Sequence, residues 1–266
     1  MDIMQRVDQT LPKLRPHLPV FLGSFTLFNA VQFLVVPTIA RALFPEKWKA
    51  LNARTRHNWA THVCSQLHAC IIIPLAIRCF SLPELDADRA FGWHERSGTV
   101  QAVACGYFLY DSFDEIIKYE TLGFVAHGVA CFAIYLLSFK PFLAYYASRC
   151  LLWEASTFFL NIHWILDKVN LTGSIYQVVN GAFLTTTFFF VRIIYGGYTS
   201  YQFFLTLYNG RDVIPPSALL ITGVGNIVLQ GLNWFWFTQM IVALRKRFVP
   251  KNTKAVAENG RKTKSE

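Results

Sequence analysis

Runs of about twenty apolar residues recur along this chain, each long enough as a helix to cross the roughly 30 Å hydrocarbon layer of a bilayer. Composition points the same way. Charged residues make up 15%, against about 25% in ordinary globular chains, while 53% are hydrophobic, with 24 Phe. A soluble shell cannot be built from this, which excludes soluble enzymes, disordered scaffolds and disulfide-rich secreted domains. The net charge of +9 collects in loops beside the apolar runs and in the C-terminal tail, so it marks no nucleic-acid face.

The pattern predicts an all-α integral membrane protein of about seven transmembrane helices. Residues 1–17 form an N-terminal arm that lacks the features of a cleaved signal peptide. A first span and basic loop occupy 18–48, and the remaining spans fall within 49–247. Span three runs from Gly98 to about Lys118, where Tyr107, Asp111, Asp114 and Lys118 share one narrow helical stripe. Spans four and five form a hairpin around Lys140 and Pro141. Gly196 and Gly197 suggest a break after span six, leaving 196–210 as an extension of that span or an interfacial helix.

With seven spans, 14 basic residues lie on the side of Lys47, Lys49, Arg54, Arg56 and the C-terminus, against 7 on the other. This predicts a cytosolic C-terminus and a lumenal N-terminus. The basic tail, 248–266, ends in Lys262-Thr263-Lys264-Ser265-Glu266, and lysines third and fifth from the end resemble a coat-protein retrieval signal of the endoplasmic reticulum. The six cysteines lie in or beside apolar runs with no Cys-x-x-Cys spacing, so they read as small hydrophobes. No metal box or cofactor motif stands out.

Ionisable groups at bilayer depth are costly and face a bundle interior or a watered cavity. Here they comprise His62, His68, Asp111, Asp114, Glu115, His127, Arg149, Glu154, His163 and Arg192, accompanied by Asn161 and Asn180. Glu154, Thr157 and Asn161 share a face of span five. Arg149 points away from it and is expected to pair with another span, for instance with Asp111. His127 is a candidate general base, although a lone histidine in a bundle more often serves as an interhelical hydrogen-bonding group. The aromatic runs around Phe188 and Trp234 read either as a chain-lining wall or as lipid-facing surface.

The order Asn58-Trp59, His68-Ala69, Gly106-Tyr107 with Asp111, His127, Arg149 with Glu154 and Asn161, then Asn180-Gly181 and Val191-Arg192-Ile193 resembles the TLC-domain family, closest to its small members. The resemblance implies a helical barrel around a lipid-sized cavity in an endoplasmic-reticulum or Golgi membrane. It also implies a polar core of His68, Tyr107, Asp111, His127, Arg149, Glu154, Asn161, Asn180 and Arg192. Ceramide synthases of this family carry a tandem His-His where this chain has Ala126-His127. The expected function is binding or handling of an acyl lipid in lipid homeostasis, with the bilayer and a coat protein as partners. The alternative is acyl transfer, with acyl-CoA as co-substrate and His127 as base.

Overall fold

A computed structural model describes residues 3–248, and the lysines of the proposed retrieval signal, Lys262 and Lys264, lie outside them. Among the described residues helix is the one regular secondary structure, without a strand. The main helices are α1 (Arg15–Leu43), α2 (Ala53–Ile77), α3 (Glu95–Lys118), α4 (Leu122–Leu137), α5 (Glu154–Lys168), α6 (Ile175–Asn209) and α7 (Pro216–Phe248). Local chemistry sets several boundaries. Asn52 caps α2 by accepting from the Thr55 amide, Ser174 caps α6 by accepting from Gln177, and α7 starts on Pro216, whose missing N–H costs nothing at a helix start.

The helices α1, α2, α6 and α7 are long and apolar enough to cross a membrane, whereas α4 is apolar but shorter, with 16 residues. The expected all-helical membrane class is met, with four helices of membrane length among the described residues rather than the seven that the sequence pattern predicts. The expected break at Gly196 is not found, because α6 continues through it to Asn209. Gly196 serves close packing: a Cβ there would lie 3.0 Å from the Trp153 indole nitrogen.

Two helices contain π-turns. In α1 the π-turn Val31–Val35 sits immediately before Pro37, which cannot donate the usual backbone hydrogen bond, and the wider turn absorbs the misfit. In α6 the π-turn is Phe189–Ile194. α5 is preceded by the short helix Ala144–Cys150 and a 3-10 turn, Leu151–Trp153.

Neighbour packing closes a ring in the order α2, α3, α4, α7, α6, α5 and back to α2, with α1 laid over the seam between α2 and α3. Phe28 of α1 fills that seam, fully buried against Tyr107 and His68. Outward faces remain apolar and exposed, among them Phe33, Phe183, Phe190, Ile227 and Phe235. The aromatic run of α7 divides accordingly. Trp234 and Phe235 point outward, while Phe237 stacks on Phe188 and meets Phe189 at a tilt, and Trp236 faces inward.

Candidate functional site

The ring encloses a cavity of about 400 Å³, lined by all six of its helices and by no residue of α1. It extends from Glu154 and Arg192 in the bundle interior to Asp114, Glu115, Lys118 and Glu120, where α3 turns into α4. This volume falls within the roughly 300–1,000 Å³ of small-molecule sites.

Arg192 organises the inner end. Carried on the π-turn of α6, it donates from Nε to the Trp153 carbonyl at 3.1 Å and to Ser156 Oγ at 2.8 Å. Its Nη1 donates to Asn233 Oδ1 at 3.1 Å, and Nη2 donates to Thr157 Oγ1 at 3.0 Å. Glu154 Oε1 stands 3.6 Å from Nη2, with both side chains under a tenth exposed. Gln230 of α7 returns a bond to the Arg192 carbonyl, so one side chain ties α5, α6 and α7 together. A guanidinium needs this many acceptors in a dry environment, and its fork geometry can reach them.

Along the walls, His62 Nδ1 lies 2.8 Å from Asn161 Oδ1 and stacks on Trp164 at 4.0 Å, while Asn161 donates to Ser65 Oγ. Tyr107 and Asp111 face the cavity from α3 and His127 from α4. The Asp111 carboxylate is seated against Gly128, where a Cβ would come within 3.1 Å of Oδ2. His127 Nε2 lies 3.9 Å from Cys131 Sγ, and neither Asp111 nor Glu154 is hydrogen-bonded to its ring. A general base needs a second group to hold its other ring nitrogen, and no carboxylate does so for His127 in this structure.

At the mouth, His57 Nε2 lies 3.0 Å from Asp114 Oδ2. Gln32 Nε2 donates to Asp114 Oδ1 at 2.7 Å and stands 3.3 Å from His57 Nδ1. Gln32 comes from the π-turn of α1 and closes this group from outside the ring. A neutral His57 protonated on Nε2 satisfies all three contacts. Arg54 pairs with Glu120 at 3.2 Å, and Arg56 donates to the Lys49 carbonyl.

Of the expected polar core, Tyr107, Asp111, His127, Glu154, Asn161 and Arg192 meet at one cavity. Three residues do not. Arg149 pairs with Asp86 at 3.1 Å and lies over the Tyr145 ring at 3.3 Å, so the expected pairing with Asp111 is replaced by one to the short helix Pro83–Ala87 that precedes α3. The reason is position: Arg149 belongs to the short helix before the 3-10 turn, beyond the inner end of the cavity. Asn180 donates to the Phe159 carbonyl and joins α5 to α6 without lining the cavity. His68 is fully buried, stacked on Tyr107 at 3.7 Å, with no hydrogen-bond partner for either nitrogen among the described residues. Sequence reasoning missed Gln32 and His57. Pro37 following Gln32 by five residues was the one local signal of an irregular turn there. Among the described residues no group of three or more His, Cys, Asp or Glu side chains is placed to hold a metal ion.

A ring of helices with membrane-length apolar members and a polar interior chamber defines a polytopic α-helical membrane protein with an internal cavity. Residues 58–242 match the TLC domain model, and this chain belongs to the TLC-domain family. It is 36% identical over 239 residues to an uncharacterized TLC domain-containing protein of Schizosaccharomyces pombe, covering 89% of this chain and 82% of that one. It is 27% identical to topoisomerase I damage affected protein 4 of Saccharomyces cerevisiae, covering 89% and 88% of the two chains. Human TLC domain-containing protein 4 is 25% identical, with 82% and 85% covered. No solved structure matches the chain.

Proposed function

We propose that this protein binds an acyl lipid in its intramembrane cavity and acts in lipid homeostasis, as a multi-pass protein of the endoplasmic-reticulum membrane with seven crossings. The carrying observation is the 400 Å³ chamber lined by six helices, polar at its inner end and walled by Phe108, Phe124, Phe188 and Trp236. Such a chamber gives a head group hydrogen-bonding and charged partners while aromatic faces contact the chain. The charge count supports the cytosolic placement of the C-terminus, which in turn sets the mouth of the cavity toward the cytosol.

The test is purification of the full-length protein in mild detergent, followed by mass spectrometry of retained lipid. A stoichiometric lipid, displaced when Phe188→Trp or Leu184→Trp narrows the chamber, is expected. Retention of none, together with unchanged cellular lipid profiles on deletion, overturns the proposal.

A further inference from the structure

Charge and hydrogen-bonding capacity are unevenly used inside the cavity. Arg192 is met by Glu154, Asp114 by His57 and Gln32, and Glu120 by Arg54. The neutral groups of the inner wall are also committed: Ser156 and Thr157 accept from Arg192, while Asn161 bonds both His62 and Ser65. Asp111 and Glu115 differ. Both line the cavity, both are partly buried, and neither has a hydrogen bond or ion pair with a described residue.

These carboxylates are four residues apart on α3 and so stand one above the other on a single face. α4 runs antiparallel beside them, with Gly128 against Asp111, which brings Phe124, one turn earlier, to the level of Glu115. Phe124 stacks with Trp236 of α7 at 5.8 Å, and His127 meets the same indole edge-on at 5.5 Å. Phe108 in turn meets His127 edge-on at 6.2 Å. Two carboxylates without a hydrogen-bond or ion-pair partner among the described residues therefore share the chamber with an aromatic wall, in a lining where Asp111, Asp114, Glu115, Glu120 and Glu154 outnumber Lys118 and Arg192.

Resting on the lipid-binding reading above, we propose that the head group held here is a quaternary ammonium. Asp111 and Glu115 supply the compensating negative charge, and the Phe124 and Trp236 faces supply the quadrupole attraction that favours a desolvated, methylated cation. A primary ammonium would also find acceptors in the two carboxylates and in the Tyr110 hydroxyl, but it gives up more hydration on entering the chamber, whereas methyl groups meet the aromatic faces without losing N–H hydrogen bonds. A head group carrying only negative charge would instead leave two like charges facing it in a sheltered site.

The experiment reconstitutes the full-length protein in vesicles of equimolar phosphatidylcholine, phosphatidylethanolamine and phosphatidylglycerol with identical acyl chains. The protein is recovered in mild detergent and its retained lipid quantified by mass spectrometry. Phosphatidylcholine is expected to exceed each of the other two by about tenfold. Asp111→Asn combined with Glu115→Gln should return the ratio to that of the vesicle while lipid is still retained, and Trp236→Leu should reduce the preference. Asp111→Asn alone, nearly isosteric, serves if the double variant fails to fold. Equal retention of the three lipids, preference for phosphatidylglycerol, parity of ethanolamine with choline, or a preference unmoved by the carboxamide variants overturns the proposal and leaves lipid binding standing. Retention of no lipid overturns this proposal, and together with unchanged cellular lipid profiles on deletion it overturns lipid binding as well.

Discussion

Gln32 and Asp114 are 82 positions apart and meet at 2.7 Å, although the glutamine belongs to α1, outside the residues that match the TLC domain. α1 thus completes the mouth of a cavity that it does not line. Gln32→Leu removes the donor to Asp114 and leaves that carboxylate supported by His57 alone. The expected cost is about 1–3 kcal/mol of stability in detergent. Asp114→Asn made in the Gln32→Leu background should cost less than it does in the wild type. Simple additivity in this double-mutant cycle would show that the contact contributes nothing.

Arg192 is the most heavily bonded charge in the interior. Arg192→Met leaves Glu154 buried without its cation and should lower stability by about 3–5 kcal/mol. Adding Glu154→Leu should recover much of the loss, because the uncompensated charge goes with it. Arg192→Lys is expected to fall between, since one ammonium cannot reach the acceptors on both α5 and α7 that the guanidinium fork spans. Chemical or thermal unfolding of the four proteins measures the order.

Arg149 and Asp86 should be energetically coupled and Arg149 and Asp111 should not. Half of the Asp86 side chain is exposed, at 51%, so the coupling is expected to be at most about 1 kcal/mol. The Arg149→Ala and Asp111→Asn effects should add within about 0.5 kcal/mol. A coupling energy that is large for Asp111 and absent for Asp86 would reverse the assignment.

The adjacent glycines of α6 should respond in opposite directions. Gly196→Ala pushes a methyl group against the Trp153 ring and should destabilise by about 1–3 kcal/mol. Gly197 has nothing within 4 Å of its Cβ position, so Gly197→Ala should stabilise by up to about 1 kcal/mol through helix propensity. Melting temperatures of the two variants, compared in the same detergent, separate packing from backbone freedom.

Much of the cavity was legible as helical periodicity. Tyr107, Asp111, Asp114 and Lys118 read as one stripe, Glu154, Thr157 and Asn161 read as one face, and all of them line the chamber. The division of Trp234 and Phe235 from Trp236 was not legible, because an unbroken aromatic run carries no period. Gly196 was misread as a break because a glycine needed for close approach and a glycine that ends a helix look alike without the partner ring.

The sequence alone determined that the chain resides in a membrane as helices, which polar residues share each face, and the family to which it belongs. These follow from apolar run length, the 3.6-residue repeat and ordered motifs, all of which are local along the chain. Tertiary structure alone decided that Arg149 would meet Asp86, that Gln32 would reach Asp114 across the α2–α3 seam, and that Asp111 and Glu115 would line the chamber without a hydrogen-bond or ion-pair partner among the described residues. Pairing between helices depends on their relative depth and rotation, and those are set by the fit of many side chains at once rather than by spacing within any one helix.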